Sequence, residues 1–552
     1  MEEKEYKPLI VQSDMTLLLE TGNETYETAR DELSAFAEMV KSPEYVHTYQ
    51  ITPLSLWNAA SAGLSSEEVI AALERYSKYP VPEMVKARVR QIGGRYGKVV
   101  IDKDSDGLFL KTGDAFIMAQ LLAEKSVAKY FLDEPQGCVV RVDGKYRGHI
   151  KQALMSIQFP PEDLAGYARA DELDFSLKTS SGFAPRDYQV AAVRAFRAGG
   201  KGDHGVIVLP CGAGKTIVGI AAMAELRTET LILTTSITAV RQWIAELLDK
   251  TELTAEQIGE YSGEKKEIRS VTITTYQILS AKDRDEAQKH FELFSRRNWG
   301  FIIYDEVHTL PAPVFRITAE LQAKRRLGLT ATLVREDGLE GDVFALIGPK
   351  RHEIAWKVLE GQGWIAEAAC FEIRIPMPEE LRMPYAVAEK REKFRIAAEN
   401  PLKLVIVRQL LAAHPGACVL IIGTYLAQLQ CIAAELNAPL ITGKMKNTER
   451  DALYAAFRSG EQNILVVSKV ANFAIDLPDA NVAIEVSGSF GSRQEEAQRL
   501  GRILRPKPGE NKAYFYTVVS AETREEEFSA HRQLFLVEQG YPYEIIDGEV
   551  WE

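Results

Sequence analysis

Cysteine is scarce in this chain. Five residues, Cys138, Cys211, Cys370, Cys418 and Cys431, are scattered through 552 positions with no C-x-x-C pair. So dispersed and odd a set argues against a disulfide framework or a cysteine-built zinc site, and leaves buried, reduced thiols. No apolar run reaches the ~18 residues that a transmembrane helix needs. The first residues, MEEKEYKPLIVQ, carry no apolar signal core, so a cytoplasmic location with no membrane attachment is expected. There is no excess of positive charge: the net charge is −12, which leaves no global footprint for nucleic acid but permits a locally basic groove. Internal repeats and low-complexity tracts are also missing. The length exceeds what one core can serve, so several domains are expected.

What is present is a strand–helix alternation in two blocks. Between about 185 and 348, the apolar runs GVIVLP, LILTT, VTITT, FIIYDE and LGLTAT are separated by helix-like segments such as IVGIAAMAEL and ITAVRQWIAELL. From about 417 to 519 the pattern returns in VLIIGT, ILVVSK, VAIEVS and AYFYTVV. Buried runs alternating with amphipathic helices predict two parallel α/β domains. Ahead of them, LWNAA, the capped SSEEVIAALERY and VPEMVKARVRQI read as a small helical unit, followed by the strand-like pieces KVVID, LFLKT and CVVRV. LKTSSGFAP at 177–185 reads as a linker. DKDSDG at 102–107 imitates a calcium loop, but its twelfth position is Gly113 and its flanks are strands, so a hairpin turn is expected.

The chemistry begins at LPCGAGKT, residues 209–216. Strand, glycine-rich turn and helix follow one another, as a phosphate cradle requires: backbone N–H groups and a positive helix N-terminus face the oxygens. Pro210, Cys211, Gly212, Ala213 and Gly214 form the turn. Lys215 is placed to reach the β- and γ-phosphates, and the Thr216 hydroxyl to ligate Mg²⁺. Leu209, where the strict motif has glycine, falls at the strand end, before the turn. In FIIYDEVH, Asp305 is placed to hold Mg²⁺ and Glu306 to orient an attacking water, the arrangement of an ATP hydrolase. Upstream, Gln189 in PRDYQ suits an adenine edge and Arg186 the phosphates. TAT at 330–332 suits a relay to a second ligand. In QRLGRILRP, the spacing of Gln498, Arg499, Arg502 and Arg505 sets the arginines on one helical face, with Arg502 and Arg505 as candidate arginine fingers.

These motifs, in this order, resemble those of superfamily 2 helicases. LPCGAGKT resembles motif I, TTSITAVRQW motif Ia, ITTYQIL motif Ic, DEVH motif II, TAT motif III, and IDLPDA with QRLGRILR motifs V and VI. LGLTATLVREDG narrows the resemblance to the XPB (Ssl2) branch, whose marker is the triplet Arg335, Glu336 and Asp337. The resemblance covers about 183 to 516, and more loosely the N-terminal third. It implies two RecA-like parallel-sheet domains preceded by α+β N-terminal domains. The implied boundaries are a helical or α+β unit at 1–95, a damage-recognition-like domain at 96–178, and the ATP-binding domain at 183–350. A thumb-like insertion at 376–398 and the C-terminal helicase domain at 399–548 follow. The charged insertion, alone no more than a solvated helix, thereby becomes a DNA-contacting element with Lys390, Arg391 and Lys393; Thr275 joins the expected DNA contacts.

The implied function is an ATP- and Mg²⁺-dependent 3′→5′ DNA helicase or translocase serving DNA repair. An RNA-directed helicase and an ATP-gated protein clamp stand as alternatives. The Arg335–Glu336–Asp337 triplet could work at a duplex junction or form an interdomain salt-bridge cluster. A monomer is expected. No nuclease-like carboxylate cluster stands out, so cutting would require a separate nuclease.

Overall fold

The computed structural model describes residues 7–42, 45–164, 171–178, 183–198, 204–279, 297–310, 323, 325–332, 340–468, 480–488, 493–504 and 511–548. It divides into two compact units: Met1–Leu209 with Gly214–Glu353, and Pro210–Ala213 with Ile354–Glu552.

The first unit starts with a four-stranded antiparallel sheet in the order Leu9–Val11, Thr16–Glu20, Val46–Gln50, Glu38–Lys41. Three helices follow, Pro53–Ser61, Ser66–Tyr76 and Glu83–Gly93. The second begins where the sequence signals it: Ser65 and Glu68 cap each other's backbone N–H in a capping box. A second four-stranded sheet holds the hairpin Val99–Asp104/Gly107–Thr112. The calcium-loop imitation is its turn, and Asp104 accepts two hydrogen bonds from Arg141, at 2.6 and 2.8 Å.

The remainder of this unit is built on a seven-stranded, wholly parallel sheet. Its order is Ile258–Tyr261, Val271–Thr275, Thr230–Thr234, Phe301–Asp305, Arg325–Thr330, His204–Val208, Lys350–Glu353. Thr230–Thr234 and Val271–Thr275 are buried at every residue, which is why they read as continuous apolar or threonine runs rather than alternating ones. Because every strand runs the same way, the carboxyl ends of His204–Val208, Phe301–Asp305 and Arg325–Thr330 meet at one edge of the sheet, where α/β proteins place their ligands.

The second unit repeats the architecture. Its parallel sheet runs Leu440–Ile441, Ile464–Ser468, Val419–Gly423, Val482–Glu485, Lys512–Ser520, Glu367–Ile375, Tyr543–Asp547. Glu367–Ile375 is nine residues long and next to the edge strand, and its charges are satisfied inside the fold: buried Glu372 accepts hydrogen bonds from Ser529 and Gln533 and pairs with Arg374. The charged insertion forms two helices, Glu379–Val387 and Lys390–Ala398. Phe394 anchors it on Phe528, with ring centroids 4.6 Å apart. Among the described residues no helix is long and apolar enough to cross a membrane.

Candidate active site

The strand His204–Val208 ends at buried Leu209, whose N–H donates to the Thr330 carbonyl at 3.0 Å. Leu209 is thus an inward-facing continuation of the strand. Turning starts after it: Gly212 and Gly214 have φ of +81° and +76°, a region that side chains rarely adopt. Gly214 caps the helix Lys215–Leu226, which puts Lys215 and Thr216 in its first turn. A Cβ on Gly214 would come within 2.6 Å of Gln189 Nε2, so the loop passes directly over this glutamine.

Lys215 Nζ lies 3.3 Å from Glu306 Oε1. Glu306 itself stands at φ +49°, ψ +53°, an uncommon left-handed conformation for a non-glycine residue. Strain of this kind concentrates at functional positions. The preceding Asp305 ends its strand with Oδ2 accepting the Trp243 indole N–H at 2.9 Å, while Tyr276 Oη donates to the Asp305 carbonyl at 2.8 Å. Burial, and then the neighbouring charge of Glu306, push the Asp305 carboxyl up to about 6, against the opposing pull of Trp243 and Lys215.

His308 extends this cluster. Its Nδ1 is 2.5 Å from Thr330 Oγ1 and 3.5 Å from Glu306 Oε2. Thr330 gives its single hydroxyl proton to the Thr332 carbonyl, so the imidazole carries a proton on Nδ1. The DEVH and TAT segments are therefore joined by a hydrogen bond, which gives the expected relay a physical path. Trp243 and His308 are the site residues that sequence reading missed. Trp243 belongs to an amphipathic helix, where an aromatic at helical spacing signals only packing.

Gln189 is buried, and its Oε1 accepts the Arg186 backbone N–H at 2.8 Å, so the side chain caps its own helix; Arg186 Nη1 contacts Tyr188 Oη at 3.1 Å. The pair expected at the base and phosphates is ordered by local bonds beside the loop. Thr275, expected to touch DNA, is 4% exposed and offers little surface. Lys390 and Arg391 are exposed on the insertion, and Lys393 Nζ lies 5.5 Å from the Tyr385 ring centroid. Arg502 lies on the helix Arg493–Ile503, as does Gln498. Arg505, the triplet Arg335–Glu336–Asp337 and most of IDLPDA lie outside the described residues.

Three family models match: the ERCC3/RAD25/XPB C-terminal helicase over 359–550, the type III restriction enzyme res subunit over 182–335, and a helicase conserved C-terminal domain over 9–136. In solved structures, the ATP-dependent Type ISP restriction-modification enzyme LlaBIII bound to DNA matches with TM-score 0.50 and 14% identity. It covers 66% of this chain and 31% of that one, a likeness of fold alone. The General transcription and DNA repair factor IIH helicase/translocase subunit XPB of Encephalitozoon cuniculi is 34% identical, over 99% of this chain and 83% of its own. The DNA 3′-5′ helicase XPB of Mycobacterium tuberculosis is 53% identical over 543 residues, 98% of both chains. Likeness of that degree, end to end, on a chain whose sheet edge joins the lysine of a phosphate loop to a DEVH carboxylate, places this protein in the XPB helicase family.

Proposed function

We propose that this protein is an ATP-dependent DNA helicase or translocase that opens or remodels duplex DNA with 3′→5′ polarity, in the service of DNA repair. The observation that carries the chemistry is the Lys215–Glu306 pair beside Asp305, at the foot of a loop turned by Gly212 and Gly214. The substrate and polarity follow from the family, whose mycobacterial member is named a DNA 3′-5′ helicase.

The loop N–H groups and Lys215 bind the β- and γ-phosphates, so the phosphates compete with Glu306 for the ammonium. Glu306, released, accepts a proton from the attacking water. His308 approaches Glu306 on its other side and hydrogen-bonds to Thr330, so it links the carboxylate to the TAT segment. Arg502 and Arg505 supply positive charge to the transferred phosphoryl group. Asp305, at the carboxyl end of its strand, and Thr216, in the first turn of the helix Lys215–Leu226, are oxygen donors that suit a nucleotide-bound magnesium ion, which takes only one or two protein ligands. Held there, the ion would neutralise charge developing on the phosphates. DNA contacts fall to Lys390, Arg391 and Lys393 on the insertion and to Arg335 with Glu336 and Asp337, largely through phosphates. A cytoplasmic monomer, with a separate nuclease wherever cutting is needed, completes the proposal.

The test is strand displacement on 3′-tailed and 5′-tailed duplexes, beside ATP hydrolysis with and without DNA, using Lys215→Ala as control. Hydrolysis indifferent to DNA, or displacement of the 5′-tailed substrate alone, would overturn it.

A further inference from the structure

The core of the second unit holds four ionisable side chains where apolar ones would pack at lower cost. Glu485 ends the strand Val482–Glu485, Glu496 and Arg499 sit on the helix Arg493–Ile503, and Arg532 lies on the C-terminal helix Arg524–Glu538. Their side chains are between 0 and 2% exposed. Arg499 Nη1 is 2.8 Å from Glu485 Oε2, Arg532 Nη2 is 3.0 Å from Glu485 Oε1, and Arg532 Nε is 3.4 Å from Glu496 Oε2. Tyr543 donates to Glu496 Oε1 at 3.1 Å. The chain leaves room for this knot: a Cβ on Gly488 would fall 2.2 Å from Arg532 Cζ and 2.3 Å from Glu485 Oε1.

Replacing such a cluster wholly by apolar residues is often neutral or stabilising, whereas stranding one member is strongly destabilising. A cluster of this kind therefore does less for net stability than for register, because any rotation or slide of Arg493–Ile503 separates Glu496 and Arg499 from fixed partners on a strand and on another helix. Arg502 follows Arg499 by one turn of that same helix.

We infer that Arg532 is a positioning residue for ATP hydrolysis: by bridging Glu485 and Glu496 it fixes the register of the helix that carries Arg502. The inference rests on the role assigned to Arg502 above. A misplacement of about 1 Å at a reacting group can cost on the order of a hundredfold in rate. Two charge states fit the bridge. Burial raises the Glu485 carboxyl, but Arg499 and then Arg532 outweigh it and hold it at about 2, so it is an anion under all working conditions. Burial and then the charge of Glu485 keep Glu496 above the usual carboxylate range.

The test compares Arg532→Met, which keeps volume and loses both bridges, with Arg532→Lys, which keeps charge and cannot fork, each alone and combined with Arg502→Ala. DNA-stimulated hydrolysis by Arg532→Met should fall about 10- to 100-fold in kcat with KM for ATP within about threefold, the split expected of lost transition-state contact. Arg532→Lys should recover part of that loss. In the Arg502→Ala background, Arg532→Met should add nothing, since both act through one group. Unchanged kcat in folded Arg532→Met, or losses that multiply in the double variant, would overturn the inference. If Arg532→Met does not fold, Arg532→Lys is judged by the same double-variant criterion. Full activity in Arg502→Ala alone would overturn the role of Arg502, and this inference with it; a defective Arg502→Ala beside an active Arg532→Met would overturn this inference only.

Discussion

The ammonium of Lys215 lies 3.3 Å from Glu306 Oε1, so the phosphate-binding cation and the carboxylate proposed to activate water neutralise one another within one domain. Two variants separate their roles. Lys215→Ala should lose at least about a hundredfold in kcat/KM for ATP, because charge stabilisation of the phosphoryl group disappears. Glu306→Gln should lose hydrolysis to a similar degree yet bind nucleotide as tightly as the parent or more so, since phosphate no longer competes with a carboxylate. Titration with a fluorescent ATP analogue, beside turnover, reads both; weakened binding by Glu306→Gln would contradict the arrangement.

Asp305 sets the pH response. Its folded-state value, about 6, lies above the ordinary carboxylate range, so folding favours its neutral form. The folded protein is therefore relatively penalised once pH rises through about 6, and the penalty fades on acidification. Asp305→Asn should raise the melting temperature at pH 7.5, and the gain should shrink as pH falls through about 6 and disappear only below the ordinary carboxylate value of 3.8. Hydrolysis has the opposite need, the ionised form, so its rate should fall as pH drops through about 6. Raising Mg²⁺ should move that acid limb to lower pH, because the cation favours the carboxylate. A limb insensitive to Mg²⁺ would remove Asp305 from the metal site.

Trp243→Phe keeps the aromatic packing and deletes one donor to Asp305. A lost hydrogen bond to a charged group costs about 1.5–3 kcal/mol. Since that bond favours the carboxylate, the acid limb of the rate profile should shift upward in pH.

Gly214→Ala combines a φ of +76° with a Cβ 2.6 Å from Gln189 Nε2. The left-handed conformation alone costs a side chain about 1–2 kcal/mol. The variant should lose nucleotide affinity, and adding Gln189→Ala should relieve the collision but not the backbone strain, giving partial recovery in nucleotide Kd.

For DNA, Lys390→Ala and Arg391→Ala should weaken binding with little sequence dependence. Each phosphate contact removed should lower the slope of log K against log salt by about 0.9 on duplex DNA. Affinity measured across a salt series decides it; an unchanged slope would confine the insertion to a structural role.

The central strands could be read directly because burial on both faces makes them continuous: VTITT, LILTT, FIIYDE, LGLTAT and GVIVLP lie side by side, in that order, in one sheet. Other strands could not. Lys350–Glu353, at one edge of that sheet, is KRHE, polar because an edge strand meets water; in the second unit's sheet, Glu367–Ile375 hides its burial behind Glu372 and Arg374, whose partners are more than a hundred residues away or on the same strand. The N-terminal sheet escaped for another reason, its strands being three to five residues long.

Sequence by itself determined the family, the order of its motifs and the identity of the loop, lysine and paired carboxylates, because glycine, charge and strand–helix spacing are local properties of the chain. Only the tertiary structure decided what surrounds them: that Trp243 donates a hydrogen bond to Asp305, that His308 stands between Glu306 and its hydrogen-bond partner Thr330, that Gln189 lies beneath Gly214, and that Arg532 ties down the helix of Arg502. Those relations join residues far apart in the chain, and the hydrogen bonds and ion pairs that make them exist only once parallel strands bring their ends to one edge and helices meet over a common sheet.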